Sequence, residues 1–174
     1  MNVFDYLKEN SGSVTAEWRK AVYDSYPDGS GKYLTGNKDK FANPIGWAIN
    51  NAIPSIYKEL VGDMDYANIA NSLNDFIKMR AVQKFSTDEA LGFFQELKKL
   101  VRNRTKEWFT DSDFVESLLT FESRVDKAFS IAMGLYIEDK IKIAEIRTLE
   151  EKKRNQKMIT RLSEKYNLID DTSN

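Results

Sequence analysis

The chain has 174 residues, 41% of them hydrophobic and 12% aromatic, and its 26 basic against 27 acidic side chains leave a formal net charge of −1. A single domain of this length buries roughly two thirds of its unfolded surface without staples, and near-neutrality leaves no global field to draw in nucleic acid or an anionic membrane. Histidine and cysteine are both absent, which excludes imidazole acid–base catalysis, haem ligation by histidine, thiolate nucleophiles, disulfides, and zinc or iron–sulfur clusters.

Helix is expected nearly throughout. Val3, Phe4 and Leu7, then Val14, Trp18, Ala21, Val22 and Tyr26, recur at spacings of three and four, with Ser11, Gly12 and Ser13 separating or bending the two segments. The turn formers Pro27 to Gly31 end this unit, and a loop is expected to follow. Asn43 is placed to cap the next helix and Pro44 to open it. That helix runs toward Leu60, with a kink or restart near Asn51 expected from Pro54, and Gly62 and Asp63 close it. From Asp65, Ile69, Leu73, Phe76, Ile77, Ala81 and Val82 form one stripe ending near Lys84. Ser86-Thr87-Asp88-Glu89 is a capping box. The helix it opens carries Ala90, Phe93, Phe94, Leu97, Leu100 and Val101 on one face. Lys98, Lys99, Arg102, Arg104 and Lys106 surround the other, read as a solvated exterior rather than a phosphate contact. No alternating strand pattern occurs.

Thr110, Ser112 or Asp113 is expected to cap a last helix whose apolar positions run from Leu118 to Ile146 without proline. Extended to Tyr166, it measures roughly 75 Å at 1.5 Å per residue, against about 40 Å for a globule of this chain length. So it either breaks, with Arg147 to Lys157 as the candidate segment, or protrudes. Met158, Ile159, Leu162 and Tyr166 then resume an apolar face. A protruding face of this kind seeks cover, most simply from a second copy of the chain. A homodimer with Ile143, Ile146 and Leu149 in its seam is therefore expected, the alternative being a helix folded back on its own domain.

Polar residues on two helices are candidates for a site. Arg80 and Gln83 precede the capping box, and Asn43, Asn50 and Asn51 lie on or near the helix opened by Pro44. Packed together, they would converge on a small anion or carboxylate, with Trp47 and Tyr57 as walls. The favoured reading is instead an internal pair of Arg80 with Asp or Glu plus helix capping. No Glu-x-x-His pair or EF-hand spacing occurs, so no metal, cofactor or enzymatic activity is expected. No run approaches the ~20 apolar residues that span a bilayer, and Met1 to Asn10 lacks the basic start of an export signal. A cytoplasmic protein without membrane or nucleic-acid contacts is expected.

Two stretches, Lys40-Phe41-Ala42-Asn43-Pro44-Ile45-Gly46 and Met79 through Phe93, resemble the signature segments of the RsbRD N-terminal domain family. The helix from Tyr136 to Arg147, with Ile141, Glu145 and Arg147, is similar to that family's closing segment. The resemblance covers roughly Asp5 to Arg154. It implies an all-α, single-domain helical bundle, globin-like but without haem, that pairs as a dimer in bacterial stress signalling. Residues 1–150 would form this domain and 151–174 a polar helical extension and tail. RsbR-type members continue into a STAS domain, whereas this chain stops at Asn174, so direct entry into a kinase-driven switch is not expected. The expected function is regulation by protein–protein contact; the alternative is a small-molecule sensor whose internal cavity repositions the C-terminal helix.

Overall fold

The structure is a computed structural model that describes residues 2–36, 39–83 and 85–166. Lys84 and the expected tail beyond 166 lie outside these residues. The fold is all-α: eight α-helices and no strand among the described residues.

Helix α1 (Val3–Glu9) is capped by Asn2, whose side chain accepts from the Asp5 amide at 3.0 Å. Asn10 alone separates it from α2 (Ser11–Asp24), so the break falls just before Ser11-Gly12-Ser13. A single 3₁₀ turn, Pro27–Gly29, follows, with Gly29 at φ +68°. The loop expected beyond it holds a short helix, α3 (Gly31–Gly36).

Asn43 then does two things. Its Oδ1 accepts from the Gly46 amide at 2.9 Å, capping α4 (Pro44–Val61), and its Nδ2 donates to the Leu34 carbonyl at 2.6 Å, tying α3 to α4. Only glycine fits at 46, because a Cβ there would lie 2.2 Å from Asn43 Nδ2 and 2.3 Å from the Leu34 oxygen. Helix α4 continues through Pro54 without a restart. Proline removes one amide, but Ala48, Ile49, Ala52, Ile53, Ile56, Tyr57, Leu60 and Val61 are all buried. Packing of that broad face, rather than local propensity, supplies most of the helix's stability.

Asp65 caps α5 (Tyr66–Val82) by accepting from the Ala67 and Asn68 amides. This helix lies against both α4 and α8 and is the centre of the molecule. The capping box forms as expected, with the Ser86 amide donating to Glu89 Oε2 at 2.8 Å. The helix it opens does not run on: Gly92 divides α6 (Thr87–Leu91) from α7 (Phe93–Thr105). Ala90, Leu91, Phe93 and Phe94 are all buried. At about 100° per residue these four positions share one face of about 160°, with Gly92 on the opposite side, so both short helices turn the same apolar face to the core.

The box also makes the fold acid-sensitive. Hydrogen bonds from the Ser86 hydroxyl and amide hold the Glu89 carboxyl below its ordinary value of 4.5, and the same hydroxyl lowers Asp88. A depressed folded value gives stability that is present above the unfolded value and lost as pH falls through the folded one. Thermal melts should therefore show wild type above Ser86→Ala at pH 6, with the gap closing as the pH drops below about 4.5. A gap that persists in acid would remove these carboxylates from the account.

The cap of α8 (Ser112–Tyr166) is Asp111, not its expected neighbours: its carboxylate accepts from the Asp113 amide at 3.0 Å and the Phe114 amide at 3.3 Å. Phe114, Leu118, Phe121, Val125, Ala128, Ala132 and Tyr136 are buried, chiefly against α5. Arg102 clamps the buried Glu122 through two bonds of 2.5 and 2.6 Å, and Arg124 caps α4 by donating to the Leu60 and Gly62 carbonyls. After half-buried Ile143 the helix leaves the bundle. Residues 144–162 are all exposed, and the helix neither breaks over 147–157 nor folds back. Its 55 residues measure roughly 82 Å. Lys, Arg and Glu are good helix formers, and no glycine or proline follows Gly134 in this helix. The chain is thus a head carrying a projecting stem, residues 144–166.

Candidate functional site

Two features stand apart from ordinary core: a buried arginine in the head and an uncovered apolar row on the stem. Arg80 is fully buried near the end of α5. Its guanidinium stacks on three rings, 4.5 Å from the Tyr26 centroid, 4.7 Å from Phe85 and 5.1 Å from Phe76. Nη1 donates to the Glu89 carbonyl at 3.1 Å, and Nη2 to Ser25 Oγ at 2.9 Å and the Val22 carbonyl at 3.4 Å. The expected internal ion pair is absent among the described residues. The counter-charge is instead the C-terminal end of α2, whose exposed carbonyls carry the negative pole of the helix dipole. Burial pushes the Arg80 pKa down and the Tyr26 hydroxyl up, while the Arg80 charge opposes the latter shift.

Beside this cluster lies an open cleft of about 630 Å³, lined by Asp24, Ser25, Tyr26, Pro27, Ser30, Gln83, Phe85 and Glu89. Arg80 Nε, the Tyr26 hydroxyl and Gln83 Oε1 are buried without a hydrogen-bond partner among the described residues. Arg80 itself does not line the cleft; the Tyr26 and Phe85 rings stand over it.

The five residues expected to converge do not all meet. Arg80 and Gln83 border one region. Asn43 is spent on α3 and α4, Asn50 sits near the Tyr23 hydroxyl and moderates its upward pKa shift, and Asn51 donates to the Trp47 carbonyl of its own helix at 2.8 Å. The expected walls also lie elsewhere: the Tyr57 hydroxyl donates to the Leu7 carbonyl at 2.8 Å, and Lys40 sits over the Trp47 ring. Tyr26 and Ser25, which complete the Arg80 cluster, were legible only as part of a helical stripe and its end.

Four of the five basic residues around α7 are paired, and Lys106 has no ion pair among the described residues. Lys98 pairs with Asp126, Arg102 with Glu122, Lys99 with Glu96, and Arg104 with Glu17. No group of three or more acidic residues able to hold a metal occurs among the described residues.

On the stem, Ile137, Ile141, Ala144, Thr148, Glu151, Asn155, Met158 and Leu162 alternate at spacings of four and three. Such a series lines one side of a helix. Ile137, Ile141, Met158 and Leu162 are 49%, 53%, 54% and 47% exposed. At about 100° per residue this row lies roughly a third of a turn from Tyr136 and Ile143, which face the head. Of the three residues expected in a dimer seam, Ile143 packs against the core cluster, while Ile146 and Leu149 are exposed on other sides of the helix. Their spacing of three winds around the cylinder instead of tracking along it.

No helix among the described residues is long and apolar enough to cross a membrane. No family model, curated protein or solved structure matches this chain.

Proposed function

We propose that this chain is a non-catalytic, cytoplasmic bacterial regulatory domain, of the globin-like, haem-free kind implied by its resemblance to the RsbRD N-terminal domains. The head anchors and aims the stem, and the stem docks on a protein. One observation carries this reading: the row from Ile137 to Leu162 is half-exposed on a continuous helix that leaves the bundle after Ile143. Burying such a row against a partner helix removes apolar surface from water at about 25 cal/mol per Å². A second copy of the chain is the cover suggested by the sequence; a helix of another protein is the other.

The head supports this reading by rigidity. Phe114 to Tyr136 root α8 in the core, so the stem's direction is set by packing rather than by a hinge. To test the proposal, full-length protein and an Ile141→Asp/Leu162→Asp variant serve as baits in parallel from the native cell, with circular dichroism and melting confirming an intact head. Loss of a specific partner, or of self-association, in the variant is the expected result. Identical partner sets, or turnover of a substrate by the purified protein, would overturn the reading.

A small-molecule sensor is the second reading, favoured by one contact. The Tyr136 hydroxyl, at the root of the stem, donates to the Phe85 carbonyl at 3.2 Å, and Phe85 both walls the cleft and meets Tyr26 edge-on at 5.4 Å. A molecule displacing Phe85 would shift the root of the stem, provided it binds the two poses unequally.

A further inference from the structure

The charges beside the stem's apolar row choose between the two covers. Lys140, Arg147, Arg154 and Arg161 each precede a row residue, Ile141, Thr148, Asn155 and Leu162, and recur at intervals of seven. They form a basic strip along one flank. On the other flank stand Glu138, Glu145, Lys152 and Ile159. Arg147, Arg154 and Arg161 have no carboxylate within ion-pair distance among the described residues, unlike the basic side chains of α7. Residues 147–166 hold seven basic and three acidic side chains, a net charge of +4 on a chain whose total is −1.

In paired helices, flank charges set partner and orientation. Two copies pairing antiparallel would lay the basic strip against the same strip of the other molecule. Two copies pairing in parallel would match Lys140 with Glu145, but would set Arg147 against Lys152 and Arg154 against Ile159, and would place Glu151 on Glu151 within the seam. Neither arrangement neutralises the strip. Like charges directly opposed are destabilising, and they act as a device against wrong partners. An anionic bilayer is a poorer fit as well, since Glu138 and Glu145 flank the other side of the row. Nucleic acid would leave Ile137, Ile141, Met158 and Leu162 in water.

We infer that the stem's Ile137–Leu162 row is a docking surface for an amphipathic helix of a different protein, one carrying acidic residues beside its apolar seam. This rests on the reading of the stem as an interaction surface and names the chemistry of the partner. The acidic side chains would meet Arg147, Arg154 and Arg161, and the partner's seam, apolar opposite Ile137, Ile141, Met158 and Leu162 and polar opposite Glu151 and Asn155, would cover the row. Attraction through the strip makes the association fast and salt-dependent.

The test uses the full-length protein and two synthetic peptides of about four heptads. Both carry leucine and isoleucine in the seam, with asparagine opposite Glu151 and Asn155; one is flanked by glutamate and the other by lysine. Sedimentation of the protein alone should show no association through the stem: wild type and the Ile141→Asp/Leu162→Asp variant should have the same mass. The glutamate peptide should bind one to one and at least tenfold tighter than the lysine peptide. That preference should reverse in an Arg147→Glu/Arg154→Glu variant, and affinity should fall steeply as salt rises to about 0.5 M. A dimer that the Ile141→Asp/Leu162→Asp variant loses, equal affinity for the two peptides, or tighter binding to phosphatidylserine vesicles than to the glutamate peptide would overturn the inference. If the bait experiment succeeds and this one fails, the stem is still a docking surface and only the partner's charge class falls. If the Ile141→Asp/Leu162→Asp variant loses nothing, the surface itself falls.

Discussion

Replacing Arg80 with alanine should lower the free energy of unfolding by about 3–5 kcal/mol, the range for truncating a large side chain in a packed core. Arg80 is fully buried and pressed among Tyr26, Phe76 and Phe85, so truncation leaves a void that three rings can close only by shifting. It also strips donors from Ser25 Oγ and the Glu89 carbonyl. Arg80→Met should cost less than half as much. Methionine refills most of the space and brings no charge, and removing a buried charge outright is often close to neutral. The cations on α7 have carboxylate partners, but the Arg80 charge is balanced only by carbonyls, a hydroxyl and ring faces, so little electrostatic gain is lost with it. Denaturant titration followed by tryptophan fluorescence reads all three proteins. Equal losses for alanine and methionine would show that the hydrogen bonds, not the packing, hold the α2–α5–α6 corner together. A loss below about 1 kcal/mol for alanine would show an exposed side chain.

Trp18→Ala should be as severe, at about 3–5 kcal/mol. Trp18 is fully buried in α2 and joins it to α7: the indole Nε1 donates to the Phe93 carbonyl at 2.7 Å, and its ring lies 6.0 Å from Phe93 and 6.4 Å from Phe94. Phe93 in turn meets Phe76 of α5 at 5.2 Å, so one cluster couples three helices. Trp18→Phe keeps much of the apolar volume and loses the donor, for an expected cost of about 1–2 kcal/mol. The difference between the two variants separates packing from hydrogen bonding. If phenylalanine proves as damaging as alanine, the shape of the indole, not its burial, fixes the angle between α2 and α7.

Much of this architecture can be read from residue order, because the signals are local. The capping box at Ser86, the Asn43-Pro44 start and the Asp65 start each need only neighbours within three residues. Apolar stripes at helical spacing place Val14, Trp18, Val22, Leu73, Phe76 and Ile77 inside before any packing is known. Errors arose where local signals compete. Asp111 outbid Thr110, Ser112 and Asp113 as the cap of α8, since all four can accept amide bonds and only the approach of the chain from Trp108 selects one. Pro54 promised a kink or a restart, and the restart did not occur because burial of α4 holds it as one helix. Gly92, an unremarkable residue inside an apolar run, divides α6 from α7 although the stripe on both sides reads as one continuous helix.

The candidate sites were less legible, for a physical reason. Asn43, Asn50, Asn51, Arg80 and Gln83 share polarity, but their convergence depends on where helix axes cross. Asn43 and Asn51 found nearer partners, on α3 and within α4 itself, and Asn50 lies toward Tyr23 of α2. Likewise Ile143, Ile146 and Leu149 are apolar neighbours in sequence, yet the head takes Ile143 and the other two face different ways.

Residue order alone determined that this protein is helical, lacks the side chains of thiol and imidazole chemistry, and ends in a helix too long for its own globule. Those properties follow from composition and from periodicity within a few turns, where the backbone needs no distant partner. Tertiary packing decided the rest. The burial limit at Tyr136 and Ile143 decides where α8 ceases to be core and becomes stem. The meeting of α2, α5 and α6 decides that Arg80 is sealed beneath Tyr26 and Phe85. Both depend on contacts between segments far apart in the chain, whose geometry no local pattern encodes.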